Sequence, residues 1–169
     1  MSDRSQGETA LVHLSERLTN SAAFGTLFRE GMDLVEETAA YLDGVGRTEA
    51  KALDRSVSLT YATESMRLTT RLMQMASWLL LHRAVKEGEM TLTQANREKT
   101  KVKLSAADPG PTDTIEKLPQ QLQDLISRSM SLQTRVRRLD STIHSPPAER
   151  AIGNPLVPQL NRLKAAFEQ

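Results

Sequence analysis

The segment from Tyr61 to Leu81, YATESMRLTTRLMQMASWLLL, carries two apolar stripes at helical spacing. Residues three and four apart line one face of a helix, so each stripe predicts one buried face. The first stripe comprises Leu59, Ala62, Met66, Thr69, Met73, Ala76 and Leu80, and the second comprises Tyr61, Ser65, Leu68, Leu72, Met75 and Leu79. A helix with two apolar faces needs two neighbours. The segment therefore predicts the middle of a helical bundle, a subunit interface, or both.

The composition excludes several classes of protein. The 169 residues are 38% hydrophobic and 25% charged, which is typical of one soluble domain. A net charge of +1 provides no general attraction to nucleic acid or acidic membranes. The absence of cysteine excludes disulfides, thiolate metal sites and cysteine nucleophiles. The N-terminal MSDRSQGETA lacks the features of a signal peptide, and no apolar run approaches membrane-spanning length, so we expect a cytoplasmic protein.

Three long helices are predicted, over about 22–43, 48–86 and 119–144. Ser21 is the expected N-cap of the first helix, and Gly44 and Gly46 provide the backbone freedom to end it. The third helix keeps a heptad spacing that is interrupted at Ser129, where a leucine is expected. Its apolar positions are Ile115, Leu118, Leu122, Leu125, Leu132, Val136, Leu139 and Ile143.

These elements predict an all-α protein, an antiparallel three-helix bundle with a long central helix and a flexible C-terminal tail. We expect an N-terminal arm over 1–20, the bundle over 21–144 with a connector at 88–114, and a proline-interrupted tail over 145–169. The tail repeats apolar residues with the spacing of a short amphipathic helix, which docks in a partner groove or folds back on the bundle. These residues are Leu156, Leu160, Leu163 and Phe167.

The sequence provides little evidence for catalysis, a metal site or a cofactor. The three histidines, His13, His82 and His144, have no partner at metal-binding spacing. The acidic residues of the first helix lack the Glu-x-x-His pairs of di-iron bundles and read as a solvated face. His82 is followed by a lysine four residues on, which leaves open a phosphorelay module, although an ordinary polar residue near a helix end explains it as well.

Two sets of residues on the central helix are candidates for binding partners. The dimer-interface candidates are Tyr61, Leu68, Leu72, Met75 and Leu79, although either stripe is compatible with the interior of the bundle. The polar strip Glu64, Arg67 and Arg71 has the spacing of an ion-pair ladder. If that strip faces another subunit or bundle helix, its arginines set the register. The alternative is a solvated strip between two buried stripes.

The sequence resembles the regulator-of-CtrA-degradation family of alphaproteobacteria. The resemblance rests on EETAAYLDG at 36–44, on Gly46-Arg47, on Tyr61-Ala62, and on the runs ESMRLTTRLMQ at 64–74 and ASWLL at 76–80. It extends from about Phe24 to Leu104, and over the third helix in pattern more than in identity. It implies a dimeric, three-helix, non-enzymatic protein with a poorly ordered C-terminal tail.

Members of that family act as proteolytic adaptors, which implies the same function here. They help the ClpX unfoldase and its ClpP peptidase degrade cell-cycle regulators, and a response-regulator-like protein primes the unfoldase. We therefore predict a homodimeric adaptor that recruits protein substrates, or a further adaptor, to a AAA+ protease. Nucleic acid and membrane are not expected partners. The alternatives are the phosphorelay module using His82 and a passive dimeric scaffold.

Overall fold

A computed structural model of the chain describes the backbone of residues 3–99 and 109–144, and the side chains of residues 21–99 and 109–142. This part of the chain is helical and contains no strand. Its helices are α1 (Asp3–Asp43), α2 (Val45–Lys51), α3 (Arg55–Lys86), α4 (Leu92–Lys99), α5 (Thr112–Ile115) and α6 (Gln120–His144). The chain divides into two units, Met1–Arg137 and Arg138–Gln169, and the contacts described below lie within the first.

α1 begins much earlier than the sequence predicted. It starts at Asp3, so Ser21 lies inside the helix and is not an N-cap. No proline interrupts the residues between Asp3 and Ser21, so nothing in that stretch forces a helix to restart. The helix ends at Asp43, where the Gly44 amide donates to the Ala40 carbonyl at 3.0 Å.

The second predicted helix is broken into α2 and α3. The break falls at residues 52–54, where Asp54 adopts an extended backbone (φ −59°, ψ 153°) and its carbonyl accepts the Ser58 amide at 2.7 Å. No glycine or proline marks this position, so periodicity alone predicts a continuous helix. The prediction of one helix over 48–86 was wrong for its first turns.

Packing around Gly46 provides a tertiary reason for the break. Gly46 is buried against Tyr41 and Tyr61, and the Tyr41 hydroxyl donates to Glu49 Oε2 at 2.7 Å. Burial raises the pKa of the Tyr41 hydroxyl far above its usual range, and the Glu49 carboxylate raises it further. Burial also raises the pKa of Tyr61. α2 is therefore held across the end of α1 by a neutral tyrosine hydroxyl that donates to a carboxylate.

The contacts of α1 establish the direction of the other two long helices. Phe24 lies near Trp78, with ring centroids 6.2 Å apart, while the opposite end of α1 meets Tyr61 through Gly46. α1 and α3 are therefore antiparallel. On the other side of α1, Glu30 pairs with Arg135 and Glu37 with Arg128, so α1 and α6 are antiparallel as well.

It follows that α3 and α6 run in the same direction. The predicted antiparallel arrangement thus holds for α1 with each partner, while Gly110, ahead of α6, lies beside Glu64 in the first half of α3. All three helices meet at Gly31, where an added Cβ would lie 2.6 Å from Leu79 Cδ1 and 3.6 Å from Leu132 Cδ2. The all-α prediction is confirmed.

Substituting Gly46 by alanine is expected to destabilise the fold. A Cβ at this position would lie 2.6 Å from the Tyr61 hydroxyl and 2.7 Å from the Tyr41 carbonyl oxygen, and the backbone carbonyl cannot move without disturbing the end of α1. Such overpacking costs about 1–3 kcal/mol. The matched control is Gly25→Ala, because no atom lies within 4 Å of its added Cβ. There the change should stabilise α1 by roughly 0.5–1 kcal/mol. Urea titration of both variants measures the contrast, and equal effects would contradict it.

Candidate protein-interaction site

The structure places one of the two apolar stripes of α3 in the core. Tyr61, Leu68, Leu72, Met75 and Leu79 are all buried within the single chain, and Leu68 and Leu79 have no exposed surface. These five residues, the dimer-interface candidates from the sequence, pack inside the bundle that α1 and α6 complete. They are not available to a second subunit in this fold.

The other stripe is exposed. Its four large residues retain much of their accessible surface: Leu59 71%, Met66 72%, Met73 66% and Leu80 53%. We call the whole set, Leu59, Ala62, Met66, Thr69, Met73, Ala76 and Leu80, the α3 seam. Its residues alternate at spacings of three and four, which is the a/d pattern of a coiled coil. The pattern spans three heptads, and exposed apolar surface of this kind is typical of sites that bind another protein.

The exposed face of α3 is also free of charge. Every exposed residue from Ser56 to His82 is uncharged. The hydroxyls on this helix are largely satisfied internally, since Thr63, Thr69 and Ser77 each donate to the carbonyl four residues earlier at 2.8–3.0 Å. At 1.5 Å per residue the uncharged face extends about 40 Å. Depletion of charge together with exposed methionine is characteristic of the centre of a protein–protein interface.

Glu64 belongs to the interior rather than to a solvated strip. Its carboxylate is 2% exposed, and Oε1 accepts from Arg67 Nη1 at 2.6 Å and from the Gly110 amide at 2.9 Å. Arg67 is half-buried beside it. A Cβ on Gly110 would lie 2.8 Å from the same oxygen, so glycine permits the close approach. Glu64 therefore attaches the end of the connector to α3, and the sequence-predicted partner-binding role does not fit its burial.

Arg71 is also buried, at 1% exposure, and explains the interrupted heptad of α6. Its Nη1 donates to Ser129 Oγ at 2.8 Å, and Ser129 in turn donates to the Ile126 carbonyl at 2.7 Å. A leucine at 129 would oppose the guanidinium with a methyl group and remove this acceptor. Arg71 thus sets the register of α3 against a bundle helix, one of the two roles that the sequence left open, and is not a surface contact.

His82 is not presented to a phosphoryl donor. It is 6% exposed, stacks on Trp78 with ring centroids 4.0 Å apart, and its Nδ1 lies 3.0 Å from the Trp78 carbonyl oxygen. In the part of the chain that the structure describes, no group of three histidine or acidic residues is arranged to hold a metal ion. The tail candidates lie outside the described residues: Leu156, Leu160, Leu163 and Phe167.

Two ion pairs that the sequence analysis missed join α1 to α6. Arg128 binds Glu37 through Nη1 and Nη2, at 2.8 and 2.7 Å, and Arg135 binds Glu30 in the same bidentate way. Hydrogen bonds from these arginines hold the pKa of each glutamate below its usual value, against a smaller opposing effect of burial. The sequence does contain a signal for these ion pairs, because the two glutamates and the two arginines are each seven residues apart.

Fold and surface together define an all-α protein whose long helix α3 leaves an uncharged, partly apolar face exposed. None of the helices within the described residues is long and apolar enough to cross a bilayer. The chain belongs to the family described as protein of unknown function DUF1465, whose model matches residues 15–167.

The chain is also similar to a protein of known structure. The crystal structure of RcdA from Caulobacter crescentus CB15 shares 50% sequence identity with this chain, covering 73% of it and 92% of the RcdA chain, with a TM-score of 0.61. No match was found among curated protein sequences. The family resemblance predicted from the sequence is thereby confirmed, and the chain is RcdA-like.

Proposed function

We propose that this chain is a non-enzymatic proteolytic adaptor that delivers cell-cycle regulatory proteins to the ClpX–ClpP protease in the cytoplasm. The observation that carries the proposal is the 50% identity with RcdA over 92% of the RcdA chain.

The proposed adaptor is a homodimer joined through the α3 seam. An adaptor needs a rigid body and an additional surface for binding. The buried stripe of α3 provides the rigid core, and the exposed α3 seam provides the binding surface. Exposed apolar surface of this kind is costly to leave in water, which favours a partner that is always present. A second copy of the chain meets that requirement.

The tail is proposed to contact the other partners, which are an unfoldase primed by a response-regulator-like protein and the protein substrate or a further adaptor. A tethered segment raises the effective concentration of whatever it binds, so a weak contact suffices when the body is already engaged. The apolar spacing of Leu156, Leu160, Leu163 and Phe167 supports binding as a short helix.

A reconstituted degradation assay tests the proposal. It combines the unfoldase, the peptidase and the priming regulator of the same organism with a candidate cell-cycle substrate, and compares the full chain with a version that ends at His144. We expect the full chain to accelerate substrate turnover at least severalfold, and the shortened chain to lose that acceleration. Circular dichroism of the shortened chain controls for loss of the bundle.

Other outcomes would revise the proposal in defined ways. Equal acceleration by both versions would keep the adaptor and move its contact to the bundle. No acceleration by either, together with no binding to the unfoldase, would contradict adaptor function and leave the passive dimeric scaffold. No observation favours the phosphorelay alternative, because His82 is buried against Trp78.

A further inference from the structure

The methionines of this chain differ widely in exposure. Met66 and Met73 retain 72% and 66% of their accessible surface, and both lie in the middle of the α3 seam. Met75, two residues after Met73, is 1% exposed in the core. The other methionines whose side chains are described are partly buried: Met32, Met90 and Met130. The most exposed of these methionines therefore lie seven residues apart on one face of one helix.

The seam uses leucine and methionine at equivalent positions. Leu59, Met66, Met73 and Leu80 follow one another at intervals of seven residues, so they occupy the same position of the heptad. Leucine and methionine have similar volumes and replace each other at small cost in stability. Their chemistry differs, because a thioether is oxidised to a sulfoxide and an aliphatic side chain is not. The oxidisable side chains thus occupy the centre of the exposed stripe and the inert ones its ends.

No thiol competes with these thioethers for an oxidant, because the chain contains no cysteine. Hydrogen peroxide transfers one oxygen atom to a methionine sulfur. The O–O bond breaks, an S–O bond forms, the sulfur loses two electrons, and the peroxide is reduced to water. The product is a polar sulfoxide on a side chain that was apolar. Exposure therefore directs such an oxidant to Met66 and Met73 before the buried Met75.

The surroundings of the two sulfurs make a sulfoxide depend on water for its hydrogen bonds. The hydroxyls of Thr63, Thr69 and Ser77 lie within four residues of these methionines, and each already donates to a backbone carbonyl at 2.8–3.0 Å. No exposed residue from Ser56 to His82 is charged. A second chain that covered the oxidised face would remove water from each sulfoxide oxygen, and burying a polar group without a partner is unfavourable.

We propose that Met66 and Met73 form an oxidation site that controls association through the α3 seam. With both sulfurs reduced, the seam is apolar and two copies pair. With both sulfurs oxidised, the seam stays hydrated and the copies separate. Methionine sulfoxide reductases restore the thioether, since they remove the oxygen as water while a dithiol is oxidised to a disulfide. This inference rests on the homodimer of the proposed function and adds a reversible covalent change that regulates it.

Peroxide treatment of the full chain tests the site. The chain is first diluted to near its dissociation constant, so that separated copies present the seam to the reagent. Peptide mass spectrometry should find one added oxygen at Met66 and at Met73 before any at Met75. Light scattering should then show the dissociation constant raised by roughly tenfold or more for each sulfoxide position. Treatment with methionine sulfoxide reductase should return the dimer.

Leucine variants distinguish oxidation from the packing role of methionine. Met66→Leu combined with Met73→Leu keeps the volume and the apolar character of the seam, so this chain should dimerise like the parent. It should also keep its dimer after peroxide treatment. Met130→Leu is the matched control, because it removes a partly buried methionine of α6 and should leave the response of the parent unchanged. Circular dichroism checks that the oxidised chain remains helical.

The outcomes separate this inference from the proposed function. Oxidation confined at first to the two seam methionines, with a dimer lost on oxidation and recovered on reduction, supports it. A dimer that persists with both positions oxidised, oxidation of Met75 first, or an equal response of the double leucine variant would overturn the oxidation site and leave the homodimer standing. A monomeric mass for the untreated chain would overturn the homodimer and its regulation together.

Discussion

A glutamate in place of Met73 is expected to convert the proposed dimer into a monomer while leaving the fold intact. Met73 lies near the middle of the α3 seam with 66% of its surface exposed, so a carboxylate there is hydrated in the single chain. In the dimer two carboxylates would be buried against apolar residues without a cationic partner. Burying unpaired charge costs several kcal/mol, so we expect the dissociation constant to rise more than 100-fold.

Light scattering at micromolar concentration and a thermal melt of the same sample check this result. The expected outcome is the monomer mass, with helical signal and midpoint of unfolding close to those of the parent once association is taken into account. Ser131→Glu on α6 is the matched control, because Ser131 is exposed and distant in sequence from the seam. A dimer that survives Met73→Glu would refute the seam as the interface.

Substitution of the neighbouring residue, Leu72, should instead destabilise the fold. Leu72 is 3% exposed in the core, so Leu72→Ala is expected to lower the free energy of unfolding by about 2–5 kcal/mol. Met73→Ala removes a side chain of similar size from the surface and should change it by less than about 0.5 kcal/mol. Two consecutive residues of one helix thus distinguish the stripe that folds the chain from the stripe that pairs it.

The comparison needs a background in which association does not contribute to stability. Both alanine variants are therefore made in a chain that carries Met66→Glu, which disrupts the seam one heptad away. Urea unfolding, extrapolated to water, then reports the fold alone. Similar losses at both positions would show that the seam is also part of the folded core, contrary to its exposure.

Sequence periodicity predicted the two stripes of α3 but not which of them is buried. Both have the same spacing of three and four, and a helix presents each as an equal face. The choice depends on which side α1 and α6 occupy. That side is set by contacts between residues far apart in the chain, among them Arg71 with Ser129 and Glu64 with Gly110. The size of the side chains was a further signal, because the large Trp78 lies on the side of α3 that is buried.

The sequence also did not reveal which polar residues are paired in the fold. Ser129 read as a defect in a heptad, whereas it is the acceptor for a buried arginine. Glu30 and Glu37 read as a solvated face, whereas each holds an arginine of α6. From the sequence, a polar residue on a predicted helix can be either solvated or paired with another helix. Only the position of its partner in the fold distinguishes the two.

The predicted helix boundaries were wrong where tertiary packing, rather than a local sequence signal, determines where a helix begins or ends. Gly44 ended α1 as predicted, since a glycine marks the turn in the sequence itself. The break before α3 carries no such mark and follows from the packing of Gly46 between Tyr41 and Tyr61. Ser21 is a good capping residue, but a cap is needed only where a helix begins, and α1 has already run for several turns.

The sequence by itself determined that this chain is helical, that α3 has two apolar faces, and that it resembles a family of proteolytic adaptors. These follow from local periodicity and from residue identity along the chain. Only the tertiary structure decided that Leu68, Leu72 and Leu79 form core while Leu59, Met66 and Met73 meet solvent. Burial is a property of three helices together, because a face becomes interior only when helices distant in sequence cover it.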